Sequence, residues 1–188
     1  MVARGSSLPD GLTLDDHLHR FRAVKKLRVL VVGQGGREHA LAWRLARDPD
    51  VSEVLVAPGN DGIARDARCL AIGEVEGEAL VRAAEQEDVG LAVIGPDAAL
   101  AAGVADRFEN ARIPVYGPTR NAAKLEWSKW FAKEVMAHVG VPTARASHFD
   151  RLDDARQALP SFGPPWVIKA DGLAAGKGVL VTRERGEA

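Results

Sequence analysis

Between Leu27 and Ala46 the chain reads LRVLVVGQGGREHALAWRLA. Its first seven residues are mostly aliphatic and β-branched and close on glycine, the composition of a strand buried on both faces. The continuation REHALAWRLARD spaces Leu41, Leu45 and several alanines at helical intervals, so a helix is expected directly after the glycines. Free N–H groups at the start of such a helix, together with its dipole, favour an anion. A dinucleotide fingerprint would also need glycine at the sixth position counted from Gly33, and that position is Glu38. A pyrophosphate beneath this turn is therefore disfavoured, and with it a nicotinamide-dependent oxidoreductase. Arg37 is suited to a bidentate phosphate contact, and Glu38 to accepting hydrogen bonds from a sugar or an amine. The plainer alternative is a tight turn with a solvated Arg37–Glu38 pair and His39 on the helix surface. The pattern alone leaves both open.

The same unit recurs downstream. SEVLVAPG from Ser52, LAVIGP from Leu91 and IPVYGP from Ile113 read as strands. A helix is expected near Glu78–Asp88, and another through DAALAAGVADRFENA, where Leu100, Val104 and Phe108 step by four. Strands alternating with helices predict an α/β fold with a parallel sheet covered on both faces. Asn60, Pro96 and Asp97 then fall in loops at the C-terminal ends of strands, the edge where open α/β sheets bind ligands. Asp97 also reads as the cap of the next helix, and Asn60 as a turn former.

After Pro118 the texture changes. NAAKLEWSKWFAKEVMAHVG predicts one long amphipathic helix with Leu125, Ala132, Val135, Met136 and Val139 along a stripe, ended by Gly140 and Pro142. ASHF is expected as a strand, RLDDARQAL as a short helix, and PPWVIKA and GVLVT as a pair of strands. Between the last two lies KADGLAAGKG, residues 169–178. Gly172, Gly176 and Gly178 allow close backbone approach to a phosphate, and Lys177 adds a mobile charge. The spacing is not that of a Walker loop, and the stretch joins two strands rather than preceding a helix. It is the form expected of a cover that clamps a nucleotide between sheets; the duller alternative is a flexible hairpin turn. Lys169, inside an apolar strand, is expected to be buried and hence to need an anion. Lys129 is weaker, since helix lysines are usually solvated. The expected division is a 1–26 appendage carrying a short Thr13-capped helix, a 27–127 domain and a 128–188 region.

The totals narrow the classes. A chain of 188 residues has room for one domain and part of another, and its net charge of −1 gives no general attraction to nucleic acid or to an anionic membrane. The apolar runs are too short to span a bilayer, and no secretion signal is recognisable at the N-terminus. Cys69 is the only cysteine, so no internal disulfide forms. A cytoplasmic location is expected.

VLVVGQGGREHALAWRLA, VAPGNDG, IGPDAAL, VYGPTRNAAKLEWSKWFAKEVM and VIKADGLAAGKGV occur in this order. Together they closely resemble the N-terminal part of the phosphoribosylamine–glycine ligase (glycinamide ribonucleotide synthetase) family of purine biosynthesis, over Leu27 to about Thr182. The resemblance implies a Rossmann-like domain followed by the incomplete start of an ATP-grasp domain. It also implies ATP and Mg2+, with glycine and 5-phosphoribosylamine as substrates. By motif, Lys129 and Lys169 contact ATP phosphates, and the loop with Asp171, Gly172, Gly176, Lys177 and Gly178 folds over them. Gly35, Gly36, Arg37, Glu38, Asn60, Pro96 and Asp97 face the phosphoribosylamine. This chain departs from the family in having Asp97-Ala98-Ala99 for Glu-Ala-Pro. It also has Trp127 and Trp130 where the family has glycine and a small residue. The magnesium ligands are expected downstream of Ala188, so little activity is expected of the chain alone, with a complementing C-terminal fragment as a possible partner. The alternative is a non-catalytic sugar-phosphate-binding or interaction module derived from the ligase.

Overall fold

The computed structural model describes residues 26–174 and 176–188; the Thr13-capped helix expected in the appendage lies outside the described residues. Five parallel strands form the main sheet: β1 (Leu27–Gly33), β2 (Val51–Pro58), β3 (Arg68–Cys69), β4 (Leu91–Ile94) and β5 (Val115–Tyr116). Their order is β3-β2-β1-β4-β5, with β1 at the centre. Alternation along β1 separates two cores. Leu30 and Val32 join Leu55, Leu80, Ile94, Val104 and Phe108 on one face. Val29 and Val31 join Val54, Val56, Val93, Ala42 and Ile63 on the other. Burial on both faces is why β1 carries an unbroken aliphatic run.

Helices α1 (Gly36–Leu45), α2 (Gly77–Gln86), α3 (Asp97–Ala101), α4 (Val104–Asn110) and α5 (Arg120–Trp127) cover the sheet. Ala123 of α5 is buried in the larger core, and Trp127 packs against the same cluster. That contact accounts for one of the two unusual tryptophans. The segment expected as a single helix from Asp97 is two, because Gly103 adopts a left-handed conformation (φ +77°) between α3 and α4. The short strand β3 is not among the strands expected from sequence.

The second region comprises α6 (Lys129–His138), α7 (Leu152–Ala158) and an antiparallel ribbon of β6 (Trp166–Lys169) and β7 (Val179–Thr182), with Trp166 opposite Thr182 and Lys169 opposite Val179. The long helix expected from Asn121 is broken at Ser128, whose extended backbone (φ −104°, ψ 110°) ends α5 and whose Oγ accepts the Phe131 N–H at 3.1 Å to cap α6. No residue of α6 is buried, so its apolar stripe is not a core face. ASHF forms no strand; residues 141–149 have no regular structure. No helix among the described residues is long and apolar enough to cross a membrane.

Candidate functional site

Three loops leave the C-terminal ends of β1, β2 and β4, and the structure ties them into one edge. Gly59 N–H donates to Gly33 O at 3.1 Å, and Gly95 N–H to Val32 O at 3.1 Å. Asn60 is a fastener: its Nδ2 donates to Gln34 O at 2.7 Å, while its Oδ1 accepts from Gly62 and Ile63 N–H at 2.8 and 2.9 Å. His39 Nε2 lies 3.0 Å from Asp66 Oδ2, tethering α1 to the same loop. Since β1 connects to β2 on one side while the chain later crosses to β4 on the other, the β1–β4 crevice is the topological switch point of the sheet.

Glu38 occupies that crevice. Its side chain is buried, Oε2 accepts the Gly35 N–H at 2.8 Å, and Oε1 is buried without a hydrogen-bond partner. A Cβ on Gly95 would stand 2.2 Å from Oε1, and one on Gly33 would stand 2.5 Å from Glu38 Cγ. Both glycines therefore clear space for this carboxyl group. The Arg37–Glu38 pair entertained from sequence is only half solvated: the Arg37 side chain is 74% exposed, while its Nε lies 4.0 Å from the buried Glu38 Oε1. Gly35 and Gly36 are exposed at the mouth. Pro96, not Asp97, is the N-cap of α3, and Asp97 begins the helix without a side-chain cap bond. The proline supplies the extended backbone of the cap position, which displaces Asp97 by one residue.

A second cluster forms where α6 meets the ribbon. Lys129, Trp130, Lys133, residues 144–148, Val167, Lys169 and Asp171 line a cavity of about 340 Å³. Trp130 stacks on His148 at a centroid separation of 5.6 Å, which explains the second unusual tryptophan as part of the cavity wall. Lys129 Nζ donates to Gly172 O at 3.0 Å. Lys133 Nζ is spent on Thr143 Oγ1 and Ala144 O, at 2.6 and 2.5 Å. The side-chain ammonium groups of Lys169 and Lys177 make no hydrogen bond or ion pair among the described residues, although the Lys177 N–H donates to Ala174 O at 2.8 Å. The expectation that Lys169 is buried is overturned: it is exposed, as is Val167 two residues before it, because among the described residues the face they share borders an open cavity and not a packed core.

Around residues 169–178 the ribbon closes through Ala170 N–H donating to Gly178 O at 2.8 Å, where a Cβ on Gly178 would stand 2.6 Å from that of Ala174. Gly172 (φ +90°) and Gly176 (φ +76°) hold conformations that favour glycine, with open space where a side chain would be. Asp171 faces α6. Ser128 Oγ donates to its Oδ2 at 2.9 Å, and the N–H groups of Lys129 and Trp130 donate to Oδ1 at 2.5 and 3.2 Å. Desolvation pushes the Asp171 carboxyl up, but hydrogen bonds from Ser128 and from the Trp130, Lys129 and Gly172 N–H groups together outweigh it and hold the group below its ordinary value. Sequence reading passed over Ser128, although a serine directly before a helix-forming run is a recognisable cap. Among the described residues, no three or more His, Cys, Asp or Glu side chains come together as a metal site.

Comparison with known proteins matches the chain in two stretches. Residues 27–126 match the family model of the phosphoribosylglycinamide synthetase N domain, and residues 127–188 that of its ATP-grasp (A) domain. The phosphoribosylamine–glycine ligase of Xanthomonas campestris is 49% identical over 164 residues, which is 86% of this chain and 38% of the relative. A crystal structure of the Thermotoga maritima phosphoribosylamine–glycine ligase superposes with a TM-score of 0.68 at 38% identity, covering 86% of this chain and 37% of that one. The biotin carboxylase domain of Hydrogenobacter thermophilus 2-oxoglutarate carboxylase, determined with MgADP, gives 0.69 at 20% identity over 85% and 38% of the two chains, a likeness of fold alone. The chain thus spans less than two fifths of the length of these relatives. With both of its regions matched, it belongs to the phosphoribosylglycinamide synthetase family.

Proposed function

We propose that this chain supplies the sugar-phosphate edge and one wall of the nucleotide site for ATP-dependent ligation of glycine to 5-phosphoribosylamine. In that reaction a glycine carboxylate oxygen attacks the γ-phosphorus of ATP, the bond to the β,γ-bridging oxygen breaks, and ADP leaves. The amine nitrogen then attacks the carbonyl carbon of glycyl phosphate, the carbon–oxygen bond to phosphate breaks, and the amine loses a proton. Negative charge concentrated on transferring phosphates is best met by fixed cations in a partly dry site. Lys169 and Lys129 fill that role, with the Gly172–Gly178 loop as cover and Lys177 as a mobile charge. Gly35, Gly36, Arg37, Glu38, Asn60, Pro96 and Asp97 face the phosphoribosylamine, Arg37 toward its phosphate and Glu38 toward a hydroxyl or the amine. Mg2+ in the complete reaction would screen the phosphates. Among the described residues no three His, Cys, Asp or Glu side chains gather to hold it, and no step here runs through the metal.

The observation that carries the reading is the pair of lysines, one from α6 and one from the ribbon, that line one cavity, the Lys169 side chain without a partner among the described residues. Titration of the purified chain with ATP, and separately with ribose 5-phosphate, tests it. Saturable binding of each is expected, with Lys169→Ala weakening ATP roughly tenfold or more while leaving the sugar phosphate unchanged. Binding of ribose 5-phosphate with no ATP binding would favour a non-catalytic sugar-phosphate module instead. Glycine- and phosphoribosylamine-dependent ADP release is expected to be negligible for residues 1–188, since the relatives are more than twice as long; robust turnover would contradict that expectation.

A further inference from the structure

Asp171 lies in the loop expected to fold over a triphosphate, yet its carboxylate is directed to the chain itself. The first N–H groups of a helix have no intrahelical partner and attract an anion. At α6, a helix of ten residues, those of Lys129 and Trp130 are already bonded to Asp171 Oδ1. Ser128 Oγ accepts from Phe131 N–H, so its single proton goes to Asp171 Oδ2. Lys129 closes the ring from its other end by donating Nζ to Gly172 O. Loop and helix are thus joined through both oxygens of one carboxylate and the carbonyl that follows it.

We propose that Asp171 is a positioning residue, not a nucleotide ligand: it clips the base of the glycine loop to the N-terminus of α6, and so keeps Lys129 and Lys169 facing one cavity. The purpose of the clip rests on the reading of that cavity as a triphosphate site. A helix N-terminus occupied by an intramolecular carboxylate has little capacity left for an incoming phosphate, and like charges repel at this range. The triphosphate is therefore left to lysines: Lys169 and Lys177, whose side chains have no partner among the described residues, and Lys129, presented from its bond to Gly172 O.

Amide hydrogen exchange on the purified chain, without nucleotide, tests the clip, and equilibrium dialysis with ATP tests its purpose. In Asp171→Ala, peptides covering 169–178 and the start of α6 are expected to exchange about tenfold faster, with β1 and β4 unchanged. Asp171→Asn keeps an oxygen for the Lys129 and Trp130 N–H groups and should restore most of the protection. ATP affinity should follow the same order, falling about tenfold in the alanine variant and staying within about threefold of wild type in the asparagine variant. Ser128→Ala should reproduce part of the loss, and adding it to Asp171→Ala should do little more. Unchanged exchange in Asp171→Ala would overturn the proposal, as would an asparagine variant as impaired in ATP binding as the alanine one, which would show that the charge and not the clip is what ATP binding needs. ATP binding that is absent, or indifferent to Lys169→Ala, removes the nucleotide reading and with it the purpose of the clip; the exchange data then judge the clip by themselves.

Discussion

Glu38 is the residue on which the sheet edge turns. Its identity is what ruled out a dinucleotide fingerprint, but its burial was not legible, because the space it fills is made by Gly33 and by Gly95 from a different loop. Glycine at 95 is ambiguous in sequence, since most strand ends here carry one. Substituting Gly95→Ala forces a methyl group onto a carboxyl already held by the Gly35 N–H, and overpacking of this kind costs about 1–3 kcal/mol. Urea denaturation should show that loss, with part of it recovered when Glu38→Ala is added. Asp171 allows a test by pH. Its carboxyl lies below the ordinary value in the folded chain, so the bound, ionised form is favoured over the unfolded state. Its contribution is therefore complete above the unfolded carboxylate pKa of about 4, and is lost as pH falls through the lower folded value. Exchange protection of the 169–178 segment should hold from neutrality down to about pH 4 and fail only below it, and Asp171→Asn should abolish that acid dependence.

At the scale of elements, strands were easier to read than helix breaks. Burial on both faces wrote an aliphatic run into β1, β2 and β4, and the two strands flanking the glycine loop paired as their order suggested. The breaks at Gly103 and Ser128 were hidden because helical spacing of apolar residues continues through both. At the second, Ser128 is a local cap for α6, but its bond to Asp171 is tertiary and absent from any local window. Lys169 was misjudged for a related reason: an aliphatic run signals a buried strand only where layers cover both faces, and this ribbon is not so covered. Removing the cap by Ser128→Ala should cost about 1 kcal/mol, read as a lower urea midpoint. Amides of β6 and β7 should exchange well before those of β1 and β4, since protection tracks buried contacts.

Across the whole molecule, stability is distributed unevenly. The five-stranded sheet is fastened at its N-terminal edge by alternating charges: Arg28 Nε meets Glu53 Oε2 at 2.9 Å, and Arg68 Nε meets Glu53 Oε1 at 2.9 Å. Arg68 also forks onto Glu87 beyond the end of α2. Hydrogen bonding to Arg68 holds the Glu87 carboxyl below its usual range against a smaller desolvation, so this contribution too is present near neutrality and lost in acid. Arg68→Ala should lower the urea midpoint and make it less sensitive to added salt, because an exposed network is screened by ions. Among the described residues of the second region, no ion-pair network of this kind spans the ribbon. Val167, Val179 and Val181 share one face of the ribbon, each at least half exposed, and neither outer edge carries a further strand among the described residues. Open strand edges beside wet aliphatic side chains recruit one another. Concentrated solutions of this polypeptide should turn cloudy on standing, and a single lysine written in by Val181→Lys should keep them clear.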